Sequence, residues 1–483
     1  MGKRLALFLI SWALVLIGGG LAYKVQTSGG VRIEDVRYPG DAGETLSALL
    51  YIPPGASAQH PAPAVLAAHG FINTREMQSP FAIELARRGF VVMAMDMTGH
   101  GYSGGVLAED GFGGPASLKY LRALPYVDKA NIGLEGHSMG GSPVMFAAGA
   151  VPDGYKAVVL EGSTTGFFGA PKGTATFPRN LQLVFGQYDE FAGTMWQIPK
   201  GSQVGAAPRL EALFGTKGPV APGQLYGDPA AGTGRMLVNP AIDHPQEHFS
   251  DAGVGAAVDW FQRTLQGEAT PKPPGDQVWF FKEIGTAIGF IGCVLLILAT
   301  FDLVLAWPIF AGLAQTPQPA AVGRGPRWWL AFALTAAIPA LTYYPLMQAA
   351  PGIFFAPFAA TGTLPFALRT FPEQITDQLL VWALITGLIS LSLSFVLGGG
   401  KPAFSHRWLP ALGAAVVSVG MGYVALLVVD AVFKADFRFW VLGLKLLDER
   451  HIGLFLVYLV PFTLFFLMAL RGFAASLPLK GEG

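Results

Sequence analysis

The chain has a single cysteine, Cys293, among 483 residues. That excludes an intramolecular disulfide and a cysteine-based zinc site. Charge is scarce as well: Asp, Glu, Lys and Arg make up 13% of the residues and the formal net charge is zero. Residues 31–267 hold 16 Lys/Arg against 21 Asp/Glu, so this stretch is mildly acidic and has no nucleic-acid footprint. What the chain has in excess is apolar surface, with 52% hydrophobic residues. That is too much for an ordinary soluble chain of this length, and part of it is suited to lipid.

The apolar residues fall into long runs. Lys3-Arg4 precede an uncharged stretch from Leu5 to Ala22, close to the ~20 residues that cross a bilayer. It reads as a signal anchor, with a cleaved signal peptide as the alternative, because the run exceeds the usual apolar core and lacks a clean small-x-small site. Five further runs follow, at about 284–309, 328–349, 378–398, 408–433 and 452–470. With a cytoplasmic N-terminus, six crossings put Arg324, Arg327, Lys401, Arg407, Arg471 and Lys480 on the side of Lys3 and Arg4. The opposite loops, around Glu373 and around Asp436, Lys445 and Asp448, mix both signs. The positive-inside rule then faces residues 31–267 away from the cytoplasm, as expected of an integral protein of a bacterial cytoplasmic membrane with its folded domain in the periplasm or outside.

Between the first run and the second the pattern changes. Short β-rich segments alternate with helical ones, which predicts an α/β fold with a mostly parallel, doubly wound sheet of about eight strands. The strands are expected at 31–38, 46–52, 64–68, 90–95, 132–135, 157–160, 181–185 and 236–239, and the helices at 79–88, 114–123, 142–150 and 251–265, with Ser250 capping the last. Residues 192–233, rich in Gly, Pro and Ala, read as an excursion over the active site with one short helix at 207–213. The expected organisation is a first span at 1–30, an α/β domain at 31–267, a proline-rich linker at 268–279, an all-α five-span region at 280–475 and a tail at 476–483.

The residues that carry chemistry centre on Gly136-His137-Ser138-Met139-Gly140-Gly141, which follows the apolar Ile132-Gly133-Leu134 and opens a helical segment. A serine between glycines at a strand-to-helix turn is raised above its sheet, with helix amides ready for a developing oxyanion. The hydroxyl needs a base, and after this kind of turn the partners follow in the order acid, then histidine. Of eight histidines, His60, His69, His100 and His137 come before or abut Ser138, and His406 and His451 lie at span ends. His244, in the loop after the expected 236–239 strand, is the preferred base and His248 the alternative. Asp189, after the apolar Leu181 to Phe185, is the preferred acid; Glu190 is its neighbour and rival, and Glu161 a more distant one. The oxyanion amides are expected from Met139 and from Phe71 in His69-Gly70-Phe71, with His69 itself structural. The glycine-rich Asp96 to Gly104 lacks a P-loop lysine and reads as a tight turn.

Together these pieces resemble the α/β-hydrolase superfamily, in the branch of serine aminopeptidase-like, prolyl-oligopeptidase-like and dienelactone hydrolase-like domains. The matching residues are His69 to Phe71, Asp96 to Gly104, Val127-Asp128, Ile132 to Leu134, Gly136 to Gly141, Gly186 to Asp189 and His244, and they cover about half the chain. The resemblance implies a serine hydrolase of esterase, lipase or peptidase type that forms an acyl-enzyme, with no cofactor and no metal. Its partners are expected to be the lipid bilayer and a small acyl ester, lipid or peptide-like substrate. An acyltransferase would use the same triad. A transporter or sensor with an accessory hydrolase-like domain is the other reading, for which Asp302 and Asp430 are the ionisable residues best placed at membrane depth, expected to serve in packing or interfacial pairing.

Overall fold

The computed structural model describes residues 2–267, 269–314, 325–354, 370–396 and 407–474. They divide into two compact units: residues 8–296 with 424–445, and residues 1–7 with 297–423 and 446–483.

The first unit is built on a nine-stranded sheet. In chain order its strands are β1 (Arg32–Pro39), β2 (Thr45–Ile52), β3 (Ala62–Ala68), β4 (Val91–Asp96), β5 (Val127–His137), β6 (Ala157–Glu161), β7 (Leu181–Val184), β8 (Leu225–Tyr226) and β9 (Arg235–Val238). The spatial order is β1-β2-β4-β3-β5-β6-β7-β9-β8. Strands β4, β3, β5, β6, β7 and β9 run parallel, while β1, β2 and β8 add antiparallel edges. The ninth strand is the difference from the expected eight: β8 is two residues inside the Gly/Pro-rich excursion, too short to leave a periodic trace.

A parallel sheet must be covered on both faces, and its central strands are apolar on both sides. One face packs α3 (Gly114–Ala123) and α4 (Gly141–Ala150) around Leu66, Leu134 and Leu160. The other packs α2 (Ser79–Ala86) and α7 (Asp251–Thr264) around Val65, Val92, Val159 and Phe261. Ser250 caps α7 by accepting the amide of Gly253 at 3.2 Å. The excursion contains α5 (Ala192–Trp196) and α6 (Pro208–Phe214).

The proline-rich segment is not a loose tether. The buried Arg88 guanidinium donates to the carbonyl oxygens of Lys272, Pro273 and Asp276. Glu84, fully buried and paired with Arg87 and Arg88, accepts the amides of Val278 and Trp279. Those amides open α8 (Trp279–Val304), so a carboxylate of α2 satisfies the start of this long apolar helix. Within the same unit, α8 packs closely on α1 (Gly2–Gln26): a Cβ on Gly18 would lie 2.4 Å from the Gly289 nitrogen. Small residues at such a seam let two helix backbones approach. Residues 437–444 form a hairpin of β10 (Phe437–Phe439) and β11 (Leu442–Leu444). It docks beside residues 74–77: Lys445 pairs with Glu76 at 2.8 Å and lies 4.3 Å over the Tyr102 ring, and the buried Arg438 reaches Met77.

The second unit is helical, with α9 (Pro308–Ala311), α10 (Pro326–Phe354), α11 (Gln374–Val396), most of α12 (Trp408–Phe433) and α13 (Glu449–Ala474). Here α11 packs against both α10 and α13. Trp382 donates to the Pro339 carbonyl at 2.9 Å and Tyr458 donates to Asp377 at 2.7 Å. Asp302 pairs with Arg4 at 3.1 Å in this unit, while Asp430 pairs with Lys434 at 3.9 Å in the other.

Among the described residues, five helices are long and apolar enough to cross a membrane: Gly2–Gln26, Trp279–Val304, Gln374–Leu393, Trp408–Phe433 and Glu449–Leu470. The sixth expected span, at 328–349, forms the helix α10. The tail expected at 476–483 lies outside the described residues.

Candidate active site

Four loops at the C-terminal ends of parallel strands meet where the sheet order reverses. Strand β3 lies between β4 and β5, with Ala68 opposite Met95 on one side and Gly136 on the other. Ligands in open α/β sheets bind outside the strand ends at such a switch point.

Ser138 follows β5 directly and opens the turn into α4. Its φ is +54°, in the left-handed region that a side chain rarely adopts. The flanking glycines make this turn possible. A Cβ on Gly136 would lie 2.3 Å from the Gly140 oxygen, and one on Gly140 would lie 2.1 Å from the Ala68 oxygen. Gly140→Ala is therefore expected to cost about 1–3 kcal/mol of stability through overpacking, a loss of about 2–4 °C in unfolding midpoint per kcal/mol for a domain of this size. Thermal unfolding checks it.

The hydroxyl of Ser138 is 2.9 Å from His244 Nε2, and His244 Nδ1 is 2.8 Å from Asp189 Oδ2. His244 and Asp189 are buried, and the other oxygen of Asp189 accepts the Phe191 amide at 2.6 Å. The Phe191 ring stands edge-on to His244 at 4.6 Å. The order along the chain pointed to these three residues, and the fold brings them into one hydrogen-bonded line. The rival acid Glu190 is exposed and only its carboxylate approaches the His244 amide, at 3.4 Å. The rival base His248 is buried, with Nδ1 3.2 Å from His137 Nε2 rather than at Ser138. His137 Nε2 also lies 3.1 Å from the His244 carbonyl, to which it donates. Burial holds His137 well below the usual imidazole range and His248 at about 3, so both are neutral supports.

The turn carrying Phe71 abuts the serine: a Cβ on Gly70 would lie 3.2 Å from Ser138 Cβ. His69 is wholly buried, accepts the Met97 amide on Nε2 and donates from Nδ1 to the Gly70 carbonyl, so it shapes this turn. The Asp96 to Gly104 turn is closed by the Asp96 carboxylate, which accepts the amides of Arg75 and Tyr102. Arg75, itself buried, is clamped between Asp35, Glu76 and Asp96.

One residue escaped the reading of the sequence. Glu247, three positions after His244, is fully buried with Oε2 3.4 Å from His244 Nδ1, and its Oε1 accepts the Gly186 amide. The i, i+3 spacing in His244-Pro245-Gln246-Glu247 was the available signal. Burial pushes its carboxyl up to about 8, aided by the Asp189 charge and opposed by the hydrogen bond to His244. Burial draws His244 down, but the hydrogen bonds and charges of Asp189 and Glu247 outweigh it and leave the imidazole up at about 9. Below these lie Glu135 and Glu161, buried and held well above the usual carboxylate range by burial. His137, His244 and Glu247 bring ligand atoms within 4.8 Å of one another. His137 Nε2 meets the His244 carbonyl, His244 is held by Asp189 and Ser138, and Glu247 Oε1 accepts the Gly186 amide while its buried Oε2 lies 3.4 Å from His244 Nδ1.

Residues 63–209 match the family described as alpha/beta hydrolase fold. This domain has the alpha/beta hydrolase fold. No curated protein matches the chain. Among solved structures, a predicted CIB-like hydrolase from Thermoplasma acidophilum is 16% identical with a TM-score of 0.33, covering 48% of this chain and 100% of that one. An esterase from Pyrococcus furiosus is 17% identical with a TM-score of 0.35, covering 49% of this chain and 92% of that one. A hyperthermophilic esterase from Pyrobaculum calidifontis is 16% identical with a TM-score of 0.36, covering 55% of this chain and 94% of that one. The alpha/beta hydrolase assignment rests on the matched family and on the sheet order.

Proposed function

We propose that the chain is a membrane-anchored serine hydrolase that cleaves an ester, thioester or amide through Ser138, His244 and Asp189. The observation that carries this is the hydrogen-bonded line of 2.9 and 2.8 Å from a strained serine to a buried acid. Ser138 Oγ attacks the carbonyl carbon while His244 Nε2 takes its proton. The amides of Met139 and Phe71 receive the oxyanion, and Asp189 holds the imidazole tautomer and its charged form. The tetrahedral intermediate expels the alcohol, thiol or amine with the proton from His244. Water, activated by the same imidazole, then releases the acid and restores Ser138. The apolar helices would anchor the domain, and the distribution of Lys and Arg favours its facing away from the cytoplasm.

A fluorophosphonate probe is expected to label Ser138 in intact protein; labelling elsewhere only, or none, would overturn the assignment. The base works only when neutral, so kcat/KM is expected to rise with pH through the alkaline range set by the raised His244. Glu247→Gln removes a negative charge from the imidazolium, so the midpoint should fall by about one pH unit. A pH–rate profile of both proteins measures this. A lower rate with an unmoved midpoint would mean that Glu247 serves packing alone.

A further inference from the structure

Beside the loop that carries His244 lies a cavity of about 460 Å³. Pro245 and Phe249 of that loop form one wall, Phe280, Ile284 and Ala287 of α8 a second, and Phe439 and Trp440 of the hairpin a third. The polar residues around it are Asp243, Gln246 and Glu283. Its size suits a single extended small-molecule ligand, and its lining is mainly hydrocarbon and aromatic.

The position along α8 says which ligand. Lys282 and Glu283 form a buried pair at 3.1 Å, and Glu283 also accepts from Ser79. From Ile284 to Phe301 the helix then has no charged residue, so the groove straddles the point where α8 passes from polar to lipid-compatible surface. Aromatic side chains crowd the same level: Phe280 is 52% exposed, Phe439 59% and Trp440 44%. Such aromatics mark the headgroup region of a bilayer. A groove with one wall on a spanning helix, one on the base loop and one on an interfacial hairpin is open to an acyl chain that has not left the bilayer.

We infer that this groove binds the acyl chain of a long-chain lipid ester of the membrane, so that the substrate class of Ser138 is an ester lipid taken from the bilayer. The inference rests on the serine-hydrolase reading above and adds the substrate to it. Glu84 and Arg88 fix the start of α8 to the hydrolase domain, and Lys445 and Arg438 fix the hairpin, so the three walls are held together.

The test uses the full chain in phosphatidylcholine vesicles and p-nitrophenyl esters from acetate to dodecanoate. Each buried methylene is expected to raise kcat/KM by about fourfold until the groove is filled. Ala287→Trp fills the groove and is expected to lower the dodecanoate-to-acetate ratio by about tenfold or more. Phe439→Asp, at an exposed hairpin position that carries little folding risk, should lower the same ratio. A flat chain-length profile, or a ratio unmoved by both substitutions, with Ser138-dependent acetate hydrolysis intact, overturns the groove and leaves the hydrolase reading standing. No Ser138-dependent turnover of any ester overturns both.

Discussion

Ser138→Ala is expected to lower kcat/KM for a short-chain aryl ester by about 10⁴-fold or more and to abolish fluorophosphonate labelling. Without Oγ no acyl-enzyme forms, and what remains is whatever the oxyanion amides and substrate binding supply to attack by water. The measurement is a progress curve on purified protein beside a gel-based labelling assay; retained activity together with retained labelling would remove Ser138 from the mechanism. A second substitution separates chemistry from strain. Alanine keeps a Cβ at a φ of +54°, whereas glycine does not. Ser138→Gly should therefore be as inactive as Ser138→Ala yet more stable by about 1 kcal/mol, because a side chain in the left-handed region costs about that much. The left-handed conformation of Ser138 is held at the expense of backbone comfort, and the close contacts of Gly136 and Gly140 are what keep it there.

Most of the frame was legible because it is encoded locally. The parallel strands are short apolar runs bounded by turn residues, and the elbow needs glycine at fixed offsets from Ser138. Chain order narrowed eight histidines to two, and the fold then set His244, not His248, within reach of the serine. What stayed hidden depends on distant partners. Glu247 becomes a buried neighbour of the imidazole because the Gly186 amide, 61 residues earlier, receives its other oxygen. The residues around Asp436 and Lys445 read as a loop of mixed sign. Their hairpin takes its place from Glu76, Tyr102 and Met77, more than 300 positions away. The proline-rich segment read as a spacer, since composition says nothing of the buried Arg88 that gathers its carbonyls.

Two acids stand at one imidazole nitrogen, and the choice of substitution at Asp189 is expected to show how they share it. Asp189→Asn places an amide where Oδ2 lay. If its NH₂ faces Nδ1, the proton is forced to Nε2 and the base can no longer accept from Ser138, a loss of about 10⁴-fold in kcat. Asp189→Ala leaves Nδ1–H without that partner but also without a competing donor. Glu247 Oε2 is already 3.4 Å from the same nitrogen and fully buried, so its ionised form can accept the proton of Nδ1. We expect Asp189→Ala to recover about 10²-fold of the loss, within the few kcal/mol by which neighbouring groups couple. Adding Glu247→Gln to Asp189→Ala should cancel that recovery, and single-turnover rates on the two single variants and the double variant give the coupling directly. Equal losses for Asp189→Asn and Asp189→Ala, with Glu247→Gln adding nothing, would assign the imidazole to Asp189 alone. The raised Glu247 carboxyl sets a further condition on the recovery. Only the ionised acid can take over, so beyond the rise that neutralising His244 gives every variant, the activity of Asp189→Ala should show a second rise as Glu247 gives up its proton, and the double variant should lack that second rise.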